Sequence, residues 1–152
     1  MVKTQVQTEG VIYDRNNLPI GALLTGAKKL HDQSFTGKSI RVAGVIDSGV
    51  DKDHPGFDGM VKKQKWYREY TPLSVDDHGT HVAGTIHFMA PDAELYDYRV
   101  FGAAGEVGVD EAIRLAIAQA VKDGCHVINM SLFIFPTKKF TVGQETKRIV
   151  NT

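Results

Sequence analysis

The sequence predicts an α/β fold in which a parallel sheet is flanked by helices. Two short apolar runs, at 41–47 and 95–101, are typical of buried strands. Between the second run and another at 125–131, apolar residues recur at helical spacing: Ala112, Ile113, Ala116, Ile117, Ala120 and Val121. A strand, helix and strand in this order form a right-handed crossover between parallel strands, so the sheet is expected to be parallel.

Composition restricts the classes of function. The 152 residues are 42% hydrophobic and 24% charged, which is typical of one ordinary soluble globular domain. Because 18 basic residues balance 18 acidic ones, bulk charge favours no nucleic-acid or anionic-membrane partner. No stretch approaches the roughly 18 apolar residues of a membrane span, and no signal peptide is visible, so the compartment stays open. Cys125 is the single cysteine, which excludes an internal disulfide.

The first part of the chain leads to a strand that ends in an acid. Residues 1–19 are interpreted as an N-terminal extension, and 20–152 as the domain. Three leucines and two lysines at 23–30 predict a short amphipathic helix before the strand. The strand ends at Asp47, which is followed by a small-residue turn. Because a buried parallel strand delivers its last side chain to the carboxyl edge of the sheet, Asp47 is a site candidate.

A histidine opens the next predicted helix. The irregular stretch 49–76 is interpreted as a loop, with its lysines as a solvated surface. The helix then runs from His78 toward Phe88. Its many glycines and β-branched residues are poor helix formers, which predicts a helix pressed onto the sheet, with Ala83 and Gly84 allowing a close backbone approach. Because an imidazole side chain ordinarily titrates near neutrality, His78 is a candidate base.

The last predicted elements complete the strand, helix and strand unit. Residues 102–108 form a glycine-rich loop, which lacks the Lys-Ser or Lys-Thr of a phosphate-binding loop. The following helix is expected to be capped by Asp110 and ended by Gly124.

Two of these segments resemble known catalytic signatures. Ile46-Asp47-Ser48-Gly49 and His78-Gly79-Thr80-His81-Val82-Ala83-Gly84-Thr85 closely resemble two of the three catalytic signatures of the subtilisin-like serine endopeptidases, the peptidase S8 family. The order, Asp before His, is that of the family. The segments Ala90–Tyr96 and Val127–Leu132 add to a resemblance that runs over about residues 20–132.

The resemblance implies roles for individual residues. Asp47 is the implied orienting acid and His78 the implied base of peptide-bond hydrolysis. The substrate is a peptide or protein, held as an added strand. Its implied binding residues are Phe101, Gly105, Glu106, Ser131 and Leu132. Glu106 and Val107 stand where the family usually has small residues, and Phe133 where it usually has glycine; with Asp76 and Asp77, Glu106 favours a basic substrate side chain.

The third signature is absent. The family's nucleophile lies in a Gly-Thr-Ser-Met-Ala segment, which does not occur before Thr152. Ser131 lies in the strand that resembles the family's substrate-binding strand, and the family's Ala-Gly-Asn segment is missing as well. We therefore expect a subtilisin-like fold that is incomplete at the C-terminus, and a chain that is inactive alone or needs a missing C-terminal half.

Two alternatives and one absence accompany this interpretation. The chain could be a non-catalytic peptide-binding or regulatory module that keeps the protease scaffold. A zinc site formed by His78, His81 and an acid such as Asp77 is the third hypothesis, although the protease signature already accounts for the Gly-Thr between the histidines. No metal and no other cofactor is predicted, because Gly56 stands where subtilisin-like enzymes often carry a calcium-binding acid.

Overall fold

Four parallel strands form the sheet in the described part of the chain. The computed structural model describes residues 18–57, 59–68, 77–102 and 108–132. The strands lie in the order β2-β3-β1-β4: β1 Arg41–Asp47, β2 Val61–Trp66, β3 Glu94–Arg99 and β4 Val127–Ile128. The helices are α1 Ile20–Leu24, α2 Ala27–Asp32, α3 His78–Met89 and α4 Val109–Lys122. The predicted fold class, a parallel sheet with flanking helices, is confirmed.

Helices cover both faces of the sheet. On one face, Val45 and Leu95 pack in a cluster with Ala83 of α3. On the other, Ile46 and Tyr98 pack with α4. The central strands β1 and β3 are therefore buried on both sides, as expected for parallel strands that read as continuous apolar runs. Asp47 ends β1 opposite Arg99, the last residue of β3.

The edge strand β2 lies within the stretch that the sequence predicted as a loop. It pairs with β3, and Gln64 lies opposite Asp97. Two of its lysines bind residues at or near the end of α4 through their ammonium groups. Lys63 Nζ lies 2.6 Å from Asp123 Oδ2, and Lys65 Nζ donates to Gln119 Oε1 at 2.8 Å. Because lysine stems can lie along apolar surface while their charges reach polar partners, a strand rich in lysine is stable at a sheet edge. The loop prediction for these residues was wrong.

The helix ends agree only in part with the sequence prediction. Gly108 is the N-cap of α4, and no side chain caps it, so the prediction that Asp110 caps the helix was wrong. Asp110 lies in the first turn of α4, where its negative charge interacts favourably with the positive end of the helix dipole. Gly124, with φ of +70°, follows the helix end as predicted.

Two further elements are shorter than predicted. The helix predicted at 23–30 is divided into α1 and α2 at Gly26, whose φ is +82°. The strand predicted at 125–131 is regular only over Val127–Ile128. Within the ranges that the structure describes, no helix has the length and apolar character needed to cross a membrane.

Candidate active site

Asp47 is held at the carboxyl end of β1. Its side chain is almost completely buried. The backbone N–H of Ser48 donates to Asp47 Oδ1 at 2.6 Å. The Asp47 carbonyl oxygen accepts hydrogen bonds from the N–H groups of Val100 (2.8 Å) and Phe101 (3.3 Å). Both the backbone and the carboxylate of Asp47 are therefore fixed by neighbouring backbone groups.

His78 is the first residue of α3 and faces the Asp47 carboxylate. Its Nδ1 lies 2.8 Å from Asp47 Oδ1 and 3.0 Å from Oδ2. The His78 side chain is 52% exposed, whereas that of Asp47 is 2% exposed. Carboxylate oxygens accept hydrogen bonds, so this contact assigns the donated proton to Nδ1, and in the neutral imidazole Nε2 then carries the lone pair. This arrangement equips Nε2 to accept a proton from a nucleophile.

The turn after Asp47 supports the start of α3. Ser48 Oγ is buried and accepts a hydrogen bond from the Gly79 N–H at 3.0 Å. Gly49, with φ of +102°, brings its carbonyl group directly against Gly79. A Cβ on Gly79 would overlap the Gly49 carbonyl oxygen and lie 3.0 Å from the carbonyl carbon. The orientation of His78 therefore depends on contact between the turn and the helix backbone.

The close backbone approach is at a different glycine from the predicted one. The sequence predicted it at Ala83 and Gly84, but a Cβ on Gly84 would meet nothing within 4 Å. Ala83 is fully buried and packs against the sheet.

The supporting roles of Ser48 and Gly79 were not predicted from the sequence, which indicated only a turn at Ser48. The signal that could have identified both Ser48 and Gly79 is that each directly follows one of the two candidate catalytic residues.

The predicted substrate-binding residues are only partly within the described structure. Phe101 follows β3, and its backbone N–H binds the Asp47 carbonyl oxygen, so it lies beside the pair. Ser131 is exposed and accepts a hydrogen bond from Asn129 Nδ2. Leu132, like Phe101, packs against the apolar cluster that contains Ile46 and Tyr98. Gly105 and Glu106 lie outside the described residues, as do Asp76, Val107 and Phe133.

A second buried acid lies near the pair, and sequence reasoning missed it. Asp97, in the middle of β3, is fully buried. Its desolvation raises the pKa of the carboxyl to about 6, although hydrogen bonds from Gln64, Val50 and Trp66 act in the opposite direction. The available signal was its position inside an apolar parallel strand, where both faces are expected to be buried.

The described residues provide no cluster of side chains that would support the zinc-site hypothesis. Among the described His, Cys, Asp and Glu side chains, no group of three or more could hold a metal ion. Nδ1 of His78, one of the proposed zinc ligands, is hydrogen-bonded to Asp47.

A cleft of about 1110 Å³ opens beside the Asp47–His78 pair, and Ser48, Asp77 and Thr80 contribute to its wall. Its residues do not include Asp47 or His78, so the cleft lies beside the pair and is not centred on it.

Comparison with known proteins identifies the family. Residues 37–148 match the Subtilase family, Peptidase_S8. The chain is 39% identical over 126 residues to the minor extracellular protease Vpr of Bacillus subtilis (strain 168), covering 70% of this chain and 15% of that protein. It is 36% identical over 126 residues to Subtilisin E of the same organism, covering 76% of this chain and 32% of that protein.

A solved structure agrees with this result. A lanthipeptide protease superimposes with a TM-score of 0.62 at 26% identity, covering 83% of this chain and 39% of that one.

The chain spans about a third or less of the length of the two curated relatives named above. The family match extends over both segments that contain Asp47 and His78. The chain belongs to the subtilase family of serine proteases.

Proposed function

We propose that this chain supplies the acid and the base of a subtilisin-like serine endopeptidase. One observation carries the proposal: both Asp47 carboxylate oxygens lie within 3.0 Å of His78 Nδ1 at the carboxyl edge of the sheet. In this mechanism, His78 Nε2 takes the proton of a serine hydroxyl as its oxygen attacks the peptide carbonyl carbon. Asp47 stabilises the resulting imidazolium, which then gives the proton to the leaving amine.

The nucleophile of this proposal is expected outside the chain. The sequence contains no Gly-Thr-Ser-Met-Ala segment. Of the two described serines near the carboxyl edge, Ser48 accepts from the Gly79 N–H in the support of α3, and Ser131 accepts from Asn129. A base without a nucleophile gives no covalent catalysis, because triad members act as a unit, a rule for which subtilisin itself is the standard case. We therefore expect no peptide hydrolysis by this chain alone.

The exposed surface around β4 favours a missing C-terminal half of the domain as the partner. Val127 in β4 is 52% exposed, Val121 at the end of α4 is 68% exposed, and Met130 is 43% exposed. β4 is also the last strand of the described sheet, with β1 on one side only. Because parallel sheets are normally covered and continued by further βα units, this surface fits the portion of a subtilase domain that would bring the serine.

The peptide substrate is expected to bind between the segment after β3 and the segment after β4. These strands flank β1 and run parallel to it, so Phe101, Ser131 and Leu132 leave the sheet at the edge where Asp47 lies. The backbone of Phe101 is fixed by Asp47 on its N–H side and by Arg99 Nε, which donates to its carbonyl oxygen at 3.0 Å. Gly105 and Glu106 remain proposed substrate-binding residues, and both lie outside the described residues.

Peptide assays and the downstream DNA test the proposal together. We expect no turnover of unstructured protein or peptide substrates by the purified chain, and a coding segment for Gly-Thr-Ser-Met-Ala in the DNA that follows codon 152. Turnover that survives a His78→Ala change would contradict the assigned base. Peptide affinity without turnover, together with downstream DNA that lacks the segment, would favour the non-catalytic peptide-binding module.

A further inference from the structure

Asp97 lies within the sheet, close to the level at which Asp47 leaves it. On β3 it is opposite Val45 of β1, two residues before Asp47, and opposite Gln64 of β2. Asp97 Oδ2 accepts three hydrogen bonds: from Gln64 Nε2 at 2.9 Å, from the Val50 N–H at 3.2 Å and from Trp66 Nε1 at 3.4 Å. A single carboxylate oxygen therefore joins β3 to the edge strand and to the segment that follows β1.

The contacts of Asp97 fix the far end of the turn after Asp47. The Val50 N–H binds Asp97, and the Val50 carbonyl oxygen accepts from Gln64 Nε2 at 2.8 Å. Both backbone groups of Val50 are thus bound by one pair of side chains. Hydrogen bonds to a buried charged acceptor are among the stronger ones in proteins, so Val50 has little freedom to move relative to β3.

The same turn carries the contacts that orient His78. Between Asp47 at its start and Val50 at its end lie Ser48, which binds the Gly79 N–H, and Gly49, whose carbonyl group contacts Gly79. Movement of Val50 would displace Gly49 and therefore the first turn of α3. The Nδ1 contact of His78 with Asp47 depends on both ends of this turn.

We propose that Asp97 is a positioning residue for the Asp47–His78 pair and acts through the Val50 end of the turn between them. Its hydrogen bonds go to Val50, Gln64 and Trp66 and not to Asp47 or His78, so it is assigned no chemical role in proton transfer. Its importance for hydrolysis rests on the function proposed above, but its effect on the geometry of the pair does not.

The surroundings of Asp97 explain why an acid, and not an apolar residue, is needed there. The three donors that converge on Oδ2 would lose this acceptor if the site were apolar, and the buried Val50 N–H would be left unsatisfied, which is costly. Arg99 on the same strand, which is also buried, adds a favourable charge. Asp97 Oδ1 is buried and has no hydrogen-bond partner in the described part of the chain, which agrees with a pKa raised by desolvation.

The hydrogen-bonded proton on His78 Nδ1 reports the geometry directly. In the full chain labelled with ¹⁵N, its exchange rate with water is measured by proton NMR, and the resonance is assigned by its loss in His78→Ala. Asp97→Ala removes the acceptor of the Val50 N–H and should accelerate this exchange about tenfold or more. Asp97→Asn keeps a side-chain oxygen for the same donors and should stay within about twofold of the unmodified chain, which is less than the change expected for the other variants.

A matched control separates positioning from general stability. Asp123→Ala removes another acid, which accepts from Tyr98 Oη at 2.6 Å and pairs with Lys63 near the end of α4. It should lower the unfolding temperature but leave the His78 proton unchanged. If Asp97→Ala and Asp123→Ala have the same effect on the His78 proton, Asp97 is a structural residue only and the proposal is wrong.

A milder variant covers the case in which Asp97→Ala does not fold. Gln64→Ala removes the donor to the Val50 carbonyl oxygen and one donor to Asp97, and it should accelerate exchange of the His78 proton about threefold. An unchanged rate in this variant would overturn the proposal. Because no substrate or nucleophile is used, a failure of the protease function would leave these exchange rates unaffected, so the two claims fail separately.

Discussion

Replacing Gly79 with alanine should separate the start of α3 from the turn that follows Asp47. The added Cβ would overlap the Gly49 carbonyl oxygen and lie 3.0 Å from the Gly49 carbonyl carbon and 3.1 Å from its nitrogen. These are backbone atoms, so the turn or the start of α3 must move. Overpacking of this kind costs about 1–3 kcal/mol, and the better helix propensity of alanine returns at most about 1 kcal/mol. We expect a net loss of roughly 1–2 kcal/mol in the free energy of unfolding.

Gly84→Ala is the matched control for this prediction. It makes the same chemical change in the same helix, but the added Cβ meets nothing within 4 Å. It should raise the free energy of unfolding by roughly 0.5–1 kcal/mol through helix propensity alone. Urea unfolding followed by circular dichroism measures both variants. If the two alanine variants shift the unfolding midpoint in the same direction, close contact at Gly79 does not limit this helix start.

Three further predictions concern pH, the turn and calcium. The pKa of Asp97 is raised from 3.8 to about 6, so the folded chain holds a proton that the unfolded chain releases between these values. Relative to Asp97→Asn, the free energy of unfolding should therefore rise by roughly 2 kcal/mol as the pH falls from about 7 to about 4, and a constant difference in urea unfolding would contradict this. Ser48→Ala should cost about 1–3 kcal/mol in the same assay because the Gly79 N–H loses its acceptor, whereas Ser48→Thr, which keeps the hydroxyl, should cost less. Calorimetry with micromolar calcium should show no binding heat, because Gly56 offers no carboxylate oxygens; clear heat with unit stoichiometry would show that other oxygens form a site.

The Asp47–His78 contact could be expected from the sequence because each residue lies at a recognisable element end. A buried parallel strand ending in an acid fixes the edge at which Asp47 emerges. A histidine at the first position of the next helix on the same face then comes within reach of it. Local patterns of this kind, added to the resemblance of both segments to catalytic signatures, were sufficient for the fold class and for the pair.

The contacts around the pair depend on neighbours that are distant in the sequence. The strand β2 has the polar composition of a loop. It forms a strand because it pairs with β3 and because the ammonium groups of Lys63 and Lys65 bind side chains at or near the end of α4. Gly79 differs from Gly84 only in what lies opposite it, which is the Gly49 carbonyl group. Asp97 appears in the sequence as one polar residue between two tyrosines. Its role becomes apparent only when Val50 and Gln64 are placed against it.

Covalent labelling with a fluorophosphonate tests the central claim most directly, since this probe reacts with a serine only when a base activates it. We propose that Asp47 and His78 form a prepared acid and base whose nucleophile lies outside this chain. The purified, folded chain should therefore show no labelling above that of its His78→Ala variant. Stoichiometric labelling that the His78→Ala change abolishes would show that one of the serines in these 152 residues is the nucleophile, and would contradict the claim.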